Sequence, residues 1–546
     1  MSDDPLKPFS APVRTWFETS FVAPTEPQTL GWPVIATGAN TLILSPTGSG
    51  KTLAAFLWGL DRLMTQPVPE REARTRLLYL SPLRALAVDV EKNLRSPLRG
   101  ITLAAERMGE TVHVPTVGMR TGDTPADARR RLVRNPPDLL ITTPESLFLM
   151  LTSAARETLR NIDAVIIDEI HSVAGTKRGA HMALSLERLE TLIGRPVQRI
   201  GLSATQRPLE EIARFLGGRE TGERGARWRD VEIVDAGADP NLDVEVIVPV
   251  EDMSDLGQLS AELQPGLESE GPQRSSIWPS VHPKILEQIQ RHKSTIVFVN
   301  SRRLAERLAT RLNELWGESG QELVHSHHGS LSKSRRLEIE DQLKNGTIRA
   351  IVATSSLELG IDMGAVDLVI QVESPGAVSR GLQRVGRAGH QVGETSIGKI
   401  FPKHRSDLLE TAVVVDRMVH GQIESTAFVR NPIDVLSQQI VAMCALDDWS
   451  VDDLAAVVRG AANFADISDD VLDGVLDLLS GRYPAEEFAG LKPPHRLGSR
   501  GWSRPWKVGG PTPGRDQRGH DSRPWALRRV LARWHPGRRA RRGNGL

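Results

Sequence analysis

The sequence predicts an α/β protein of two tandem parallel-sheet domains, then a small helical, winged-helix-like module and a terminal stretch with no domain pattern. Three observations lead there. Short apolar runs alternate with amphipathic helical patterns from Thr41 to about Gly217, and a second such series runs from Val244 to Gln371. After about Asp407 the pattern turns purely helical. The 546 residues suit roughly three or four domains, and 39% hydrophobic with 25% charged residues is the composition of an ordinary globular chain.

In the first series the strand-sized runs are Thr41–Leu44, Leu77–Leu80, Leu139–Thr142, Ala164–Ile167 and Arg199–Leu202. Runs of this length, rich in aliphatic residues and separated by helices, read as parallel strands covered on both faces. In the second they are Val244–Val250, Thr295–Val299, Ala350–Ala353 and Leu368–Gln371, with a helix over Arg302–Leu315. Asp235–Pro240 reads as a joint and Asp252–Ser276, polar and acidic, as a surface loop. Helices are expected over Pro432–Ala445, Val451–Val458 and Asp469–Leu479, a spacing that fits a helix-turn-helix or winged-helix unit as well as a plain helical appendage. The expected domains are 1–235, 236–406, 407–490 and a tail over 491–546.

That tail carries 15 Lys+Arg against 2 Asp, which leaves 53 basic against 66 acidic residues, a net of −13, on residues 1–490. The main body is therefore no globally basic surface, and any nucleic-acid path on it must be local. The tail lacks Ile, Phe, Tyr, Met, Cys and Glu, so it cannot bury enough apolar surface to offset the entropy of ordering, and disorder is expected. It reads either as an Arg/Trp/Gly arm that binds nucleic acid or as an out-of-frame continuation, and the abrupt loss of ordinary residues favours the second. No apolar run approaches the roughly 20 residues that span a bilayer, so no membrane is expected as a partner. The acidic start and the single Cys444 suit a reducing cytoplasm.

Three constellations carry chemistry. Ser45-Pro46-Thr47-Gly48-Ser49-Gly50-Lys51-Thr52 lies between a strand and a helical pattern over Leu53–Leu63, the context a phosphate-binding loop requires. Gly48 and Gly50 let backbone N–H groups turn inward, Lys51 would meet the β- and γ-phosphates, and the Thr52 hydroxyl can ligate Mg²⁺. Ser45 stands where the generic pattern has glycine. Asp168-Glu169-Ile170-His171 follows a buried strand, so Asp168 would hold the metal and Glu169 would orient and deprotonate water. Gln383-Arg384-Val385-Gly386-Arg387-Ala388-Gly389-His390 supplies guanidinium groups suited to a γ-phosphate in its transition state. His325, His327 and His328 lack a Cys or acidic partner nearby in sequence, so no metal site is expected there.

Together these motifs resemble the superfamily 2 DExH helicases, and most closely the Lhr (large helicase-related) family, over about residues 9–490. Pro24–Gln28 resembles the adenine-reading Q motif, Ser81–Ala87 motif Ia, Thr143-Pro144-Glu145 motif Ib, and Ser203-Ala204-Thr205 motif III. Val297–Arg302 resembles motif IV and Ala353–Asp362 motif V. The resemblance implies two RecA-like domains that hydrolyse ATP with Mg²⁺. Gln28, Gly360 and Asp362 would join the loop at the nucleotide, and Gln383, Arg384 and Arg387 would act in catalysis. Ser203 and Thr205 would couple hydrolysis to movement, while Arg84, Thr143, Ser301, Arg302 and Thr354 would grip one strand. Motif VI often ends in a second arginine where His390 stands here, so the finger role passes to Arg387. The resemblance further implies 3′ to 5′ translocation on single-stranded DNA, unwinding of DNA or RNA:DNA duplexes, and a role in DNA repair. The rival reading is a non-motor nucleic-acid-binding remnant of a longer helicase.

Overall fold

The computed structural model describes residues 4–480 apart from 47, 205, 223–224, 238–240, 251–252, 254–276, 318–321, 359–365 and 390–393. The tail expected over 491–546 and nearly all of the loop expected over 252–276 lie outside the described residues.

The first lobe holds a seven-stranded parallel sheet in the order β3-β4-β2-β5-β6-β1-β9. Its strands are β1 (Thr41–Leu44), β2 (Leu77–Leu80), β3 (Val117–Arg120), β4 (Leu139–Thr142), β5 (Ala164–Ile167), β6 (Gln198–Ser203) and β9 (Glu232–Asp235). A small antiparallel pair, β7 (Arg219–Gly222) and β8 (Gly225–Trp228), stands apart. Alternate side chains enter opposite cores: Leu42 and Leu44 pack into one apolar cluster, Ile43 into the other. The same split places Leu78 and Leu80 on one face and Leu77 and Tyr79 on the other. Two-sided burial is why these strands read as continuous apolar runs.

The second lobe is a six-stranded parallel sheet in the order β10-β15-β14-β11-β13-β12. Its strands are β10 (Leu242–Val246), β11 (Thr295–Phe298), β12 (Val324–His327), β13 (Ala350–Ala353), β14 (Leu368–Val372) and β15 (Ser396–Phe401). The strand expected over Val244–Val250 is β10, displaced toward Leu242; it stops before Pro249, which lacks a ladder donor. Strands β3, β9, β12 and β15 are absent from the sequence expectation. The first three lie at sheet edges, and β12 (Val-His-Ser-His) alternates too weakly to stand out. The helix Arg405–Val419 closes this lobe, with Val414 and Met418 in its core and the Asp407 carboxylate accepting from Ser374 N–H at 2.7 Å.

The C-terminal helices Ile433–Cys444, Val451–Gly460 and Asp469–Ser480 lie close to their expected bounds. They share a core with the first lobe. Leu436, Ile440, Val458, Phe464 and Leu472 join Leu184, Leu189, Phe215 and Leu216 in one continuous cluster. Gln439 is fully buried and bridges the junction, accepting from Arg188 at 2.7 Å and donating to the His181 carbonyl at 3.0 Å. Nearby, Arg199 and Arg229 enclose the buried Glu187 and the half-buried Glu190, and each carboxylate has a guanidinium within 2.9 Å. Cys444 packs against the same cluster.

The expectation that His325, His327 and His328 have no acidic partner nearby is corrected: His325 pairs with Glu322 three positions before it, and His327 and His328 pair with Glu340 and Glu306, each at 3.0 Å. Among the described residues no helix is long and apolar enough to cross a membrane.

Candidate active site

Strands β5, β6 and β1 are neighbours, and their carboxyl ends bring three of the sequence motifs side by side. The loop after β1 is tied to β6 through Ser45 N–H and the Ser203 carbonyl at 3.2 Å. Gly48 and Gly50 have φ of +81° and +83°, the left-handed region that a side chain disfavours. A Cβ at Gly50 would also lie 2.8 Å from Gln28 Nε2. The helix Lys51–Thr65 starts at once, two residues before the expected Leu53, so its N-terminal N–H groups face the loop. Ser49 Oγ bonds both Ser45 Oγ and the Pro46 carbonyl. Gln28 is buried; it donates to the Gly50 carbonyl at 3.4 Å and accepts from Thr25 N–H at 3.0 Å. The putting together of Q motif and loop is thus direct.

Lys51 is buried with its ammonium 3.4 Å from the Ser45 carbonyl and 3.7 Å from Glu169. Glu169 sits at φ +44°, unusual for a residue with a side chain, which turns its carboxylate into the site rather than along the strand. Burial alone would raise this carboxyl, yet Lys51, His171 and Arg387 outweigh it and hold it below the usual value. Asp168 goes the other way: burial and the Glu169 charge push it up, against the Tyr79 hydroxyl, which bonds it directly, and Lys51. One acid is thereby kept ready as a base, and the other has excess negative potential that a divalent cation would relieve. Asp168, with the Thr52 hydroxyl in the first turn of the helix after the loop, would suit Mg²⁺.

His171 is the residue the sequence reading undervalued. Its Nδ1 accepts from Ala204 N–H at 3.2 Å and lies 3.2 Å from Ser203 Oγ. Its Nε2 lies 3.4 Å from Glu169 and 2.8 Å from the Gln383 amide in the other lobe. Burial lowers its pKa, against the Glu169 charge and with Lys51 adding to the effect; with Nδ1 accepting, a proton on Nε2 would call for the Gln383 oxygen to face it. One imidazole therefore joins the acidic motif, the Ser-Ala-Thr motif and the second lobe. Tyr79 was also missed, although a phenol inside the run Leu-Leu-Tyr-Leu must find a polar partner.

Arg387 is buried near Glu169 and Glu358, donating to the Glu358 carbonyl at 2.9 Å. Arg384 instead faces the interior of its own lobe. It is held by the Glu358 carboxylate, by Gln371 at 2.7 Å and by Asn300 at 3.2 Å, over the Phe298 ring.

The residues expected to grip a strand also lie beyond carboxyl strand ends. Thr143 follows β4 and caps the helix Pro144–Leu151; Ser301 follows β11 and caps Arg302–Trp316; Thr354 follows β13. Arg302 donates to Ser330 Oγ at 2.6 Å, and Arg84 pairs with Asp123 across Gly122. Thr47, Thr205, Gly360, Asp362 and His390 lie outside the described residues.

Three family models match the chain: DEAD/DEAH box helicase over residues 25–212, helicase conserved C-terminal domain over 280–391, and the winged helix domain of large helicase-related proteins over 416–507. The chain is 53% identical over 520 residues to a Mycolicibacterium smegmatis Lhr helicase/probable uracil glycosylase, covering 90% of this chain and 33% of that protein. It is 41% identical over 473 residues to the ATP-dependent helicase Lhr-Core of Methanocaldococcus jannaschii, covering 86% of this chain and 52% of that protein. The chain thus spans about a third to a half of the length of these relatives. The solved structure of Mycobacterium smegmatis helicase Lhr bound to single-stranded DNA and AMP-PNP superposes with a TM-score of 0.78 at 54% identity, over 88% of this chain and 58% of that one. On these matches, with both lobes, the shared site and the winged helix in place, the chain belongs to the Lhr family of superfamily 2 DExH-type helicases.

Proposed function

We propose that this chain is a nucleic-acid-stimulated ATPase that moves 3′ to 5′ along single-stranded DNA and unwinds DNA or RNA:DNA duplexes, in the service of DNA repair. The observation that carries the reading is the path Lys51–Glu169–His171–Gln383, which runs from the phosphate loop to the second lobe. A site built across two lobes responds to their closure, which is what a motor requires.

In this reading Gln28 reads the adenine edge and the loop with Gly360 and Asp362 cradles the phosphates. Lys51 offsets charge on the β- and γ-phosphates, and Glu169, held ionised, aligns a water and takes its proton. Arg387 neutralises charge that develops as the terminal phosphoryl group leaves, and Gln383 reports that state through His171 to Ser203. Mg²⁺ held by Thr52 and Asp168 would neutralise the phosphate oxygens. The strand lies along the carboxyl edges of both sheets, gripped by Arg84, Thr143, Ser301, Arg302 and Thr354, mostly through backbone phosphates and hence without sequence preference.

The test is phosphate release from ATP with and without single-stranded DNA. Stimulated turnover is expected in the parent chain. In Lys51→Ala, Glu169→Gln and Arg387→Ala it should fall by about a thousandfold or more, the scale on which transition-state contacts act. A folded chain that binds the strand but never turns over ATP would instead establish the non-motor reading.

A further inference from the structure

The helix Val378–Val385, which carries Gln383 and Arg384, begins after Ala377, a residue with no side-chain oxygen to cap it. Its first N–H groups are taken from outside the helix. Both carboxylate oxygens of Glu424 accept them, one from Val378 N–H and the other from Ser379 N–H at 3.1 Å. Burial would raise the Glu424 carboxyl, and these two bonds hold it low, as expected of an anion at a helix N-terminus.

The next residues turn to the other lobe. Ser425 forms a parallel bridge with Arg207, just beyond the Ser-Ala-Thr motif. Thr426 N–H donates to the Arg207 carbonyl at 2.7 Å, and its hydroxyl donates to the Gln206 side chain at 2.6 Å. A Cβ at Gly175, in the turn after the His171–Ala174 helix, would lie 3.4 Å from the Ala427 carbonyl. On either side the segment is anchored in apolar cores, with Ile423 against the second-lobe cluster and Phe428 inside the one that the first lobe shares with the C-terminal helices. Asn431 N–H and the Asn463 carbonyl, 2.8 Å apart, tie its end to that module.

Four consecutive residues, within the winged-helix match, thus touch the helix of the Gln383 motif, the loop after the Ser203 motif and the turn after the Asp168 motif, and run straight on to the C-terminal helices. We propose that residues Glu424 to Ala427 are positioning residues that pass the nucleotide state of the cleft to the module, so that nucleotide binding changes the hold on a nucleic-acid strand. Closure of the lobes moves the Val378–Val385 helix relative to Gln206 and Arg207. Because this segment is bonded to both, it takes up that change and passes it to the module, which stays on the first lobe's core while the second lobe shifts against it. The proposal rests on the ATP and nucleic-acid reading above.

The experiment measures binding of a labelled thymidine oligonucleotide to the full chain by fluorescence anisotropy, with and without AMP-PNP. The parent should bind the strand about tenfold tighter with AMP-PNP, within the usual range of coupling between sites, and Thr426→Val no more than about twofold tighter. Thr426→Ser, which keeps the hydroxyl, should restore the parental ratio, with AMP-PNP affinity and melting midpoint unchanged in both. A Thr426→Val chain that keeps the full ratio, or a parent with no ratio at all, overturns the proposal, as does a loss of AMP-PNP affinity itself. Should Thr426→Val fail to fold, Glu424→Gln decides in its place, since one acceptor oxygen becomes an amide that faces an N–H. If the parent shows the ratio yet hydrolyses no ATP, the motor reading fails while the coupling stands.

Discussion

Single side chains in this site are set by what surrounds them. The Tyr79 side chain has one polar atom, and it bonds the Asp168 carboxylate, the proposed Mg²⁺ ligand. Tyr79→Phe keeps the packing and removes that donor, so the Mg²⁺ concentration that half-saturates ATP turnover should rise about tenfold or more, the usual effect of losing a group behind a metal ligand. At Gly50 both the φ of +83° and the contact with Gln28 oppose a side chain. Gly50→Ala should weaken ATP binding by an order of magnitude or more, since a left-handed alanine costs about 1–2 kcal/mol before the clash is counted. Titration of bound nucleotide checks it. Burial pushes the Cys444 thiol up to about 11, with Arg188 only partly opposing. The thiol is neutral below that value, so alkylation of the native chain should rise roughly tenfold per pH unit from 8 to 10 without a plateau, whereas the unfolded chain should level off near pH 9.

At the scale of elements, the central strands were legible because burial on both faces writes aliphatic residues at every position, as in Leu42, Ile43 and Leu44. Strand β15 was not: its Ser-Ile-Gly-Lys-Ile-Phe pattern includes Lys399, which reaches solvent to pair with Glu245. The P-loop and the acidic motif were legible because their chemistry is local in sequence. The role of His171 was not, since its partners Ala204 and Gln383 lie 33 and 212 positions away. Arg384 illustrates the converse: its motif suggests the phosphate, and folding directs it to Glu358, Gln371 and Asn300. The packing of the module on the first lobe was hidden for the same reason, because an apolar helix face does not name its partner. That packing makes a prediction. A Cβ at Gly460 would meet Glu187 Oε2 at 2.6 Å, inside the paired charges of Arg199 and Arg229. Gly460→Ala should destabilise the chain by about 1–3 kcal/mol, as overpacking does, seen as a lower denaturant midpoint.

Across the whole molecule the proposed strand path runs over both sheets, and among the described residues its charged members Arg84 and Arg302 make an exposed ion pair and a hydroxyl contact. Such surface partners are worth little and can yield to phosphate. Replacing both by alanine should flatten the slope of log affinity for single-stranded DNA against log salt by about 1.4, or 0.7 for each charge. Two salt titrations side by side test this.

The shared core of the C-terminal helices and the first lobe has one more consequence. The chain leaves the first lobe at Asp235, builds the second between Leu242 and Val419, and re-enters the first lobe's core at Phe428. The second lobe is therefore an insertion within a single body, joined to it by two crossings. A part held at one point can swivel in any direction; a part held at two can turn chiefly about the line through them. Any relative motion of the two lobes would thereby be confined by chain connectivity to something close to one degree of freedom, with the C-terminal helices staying on the first lobe's side.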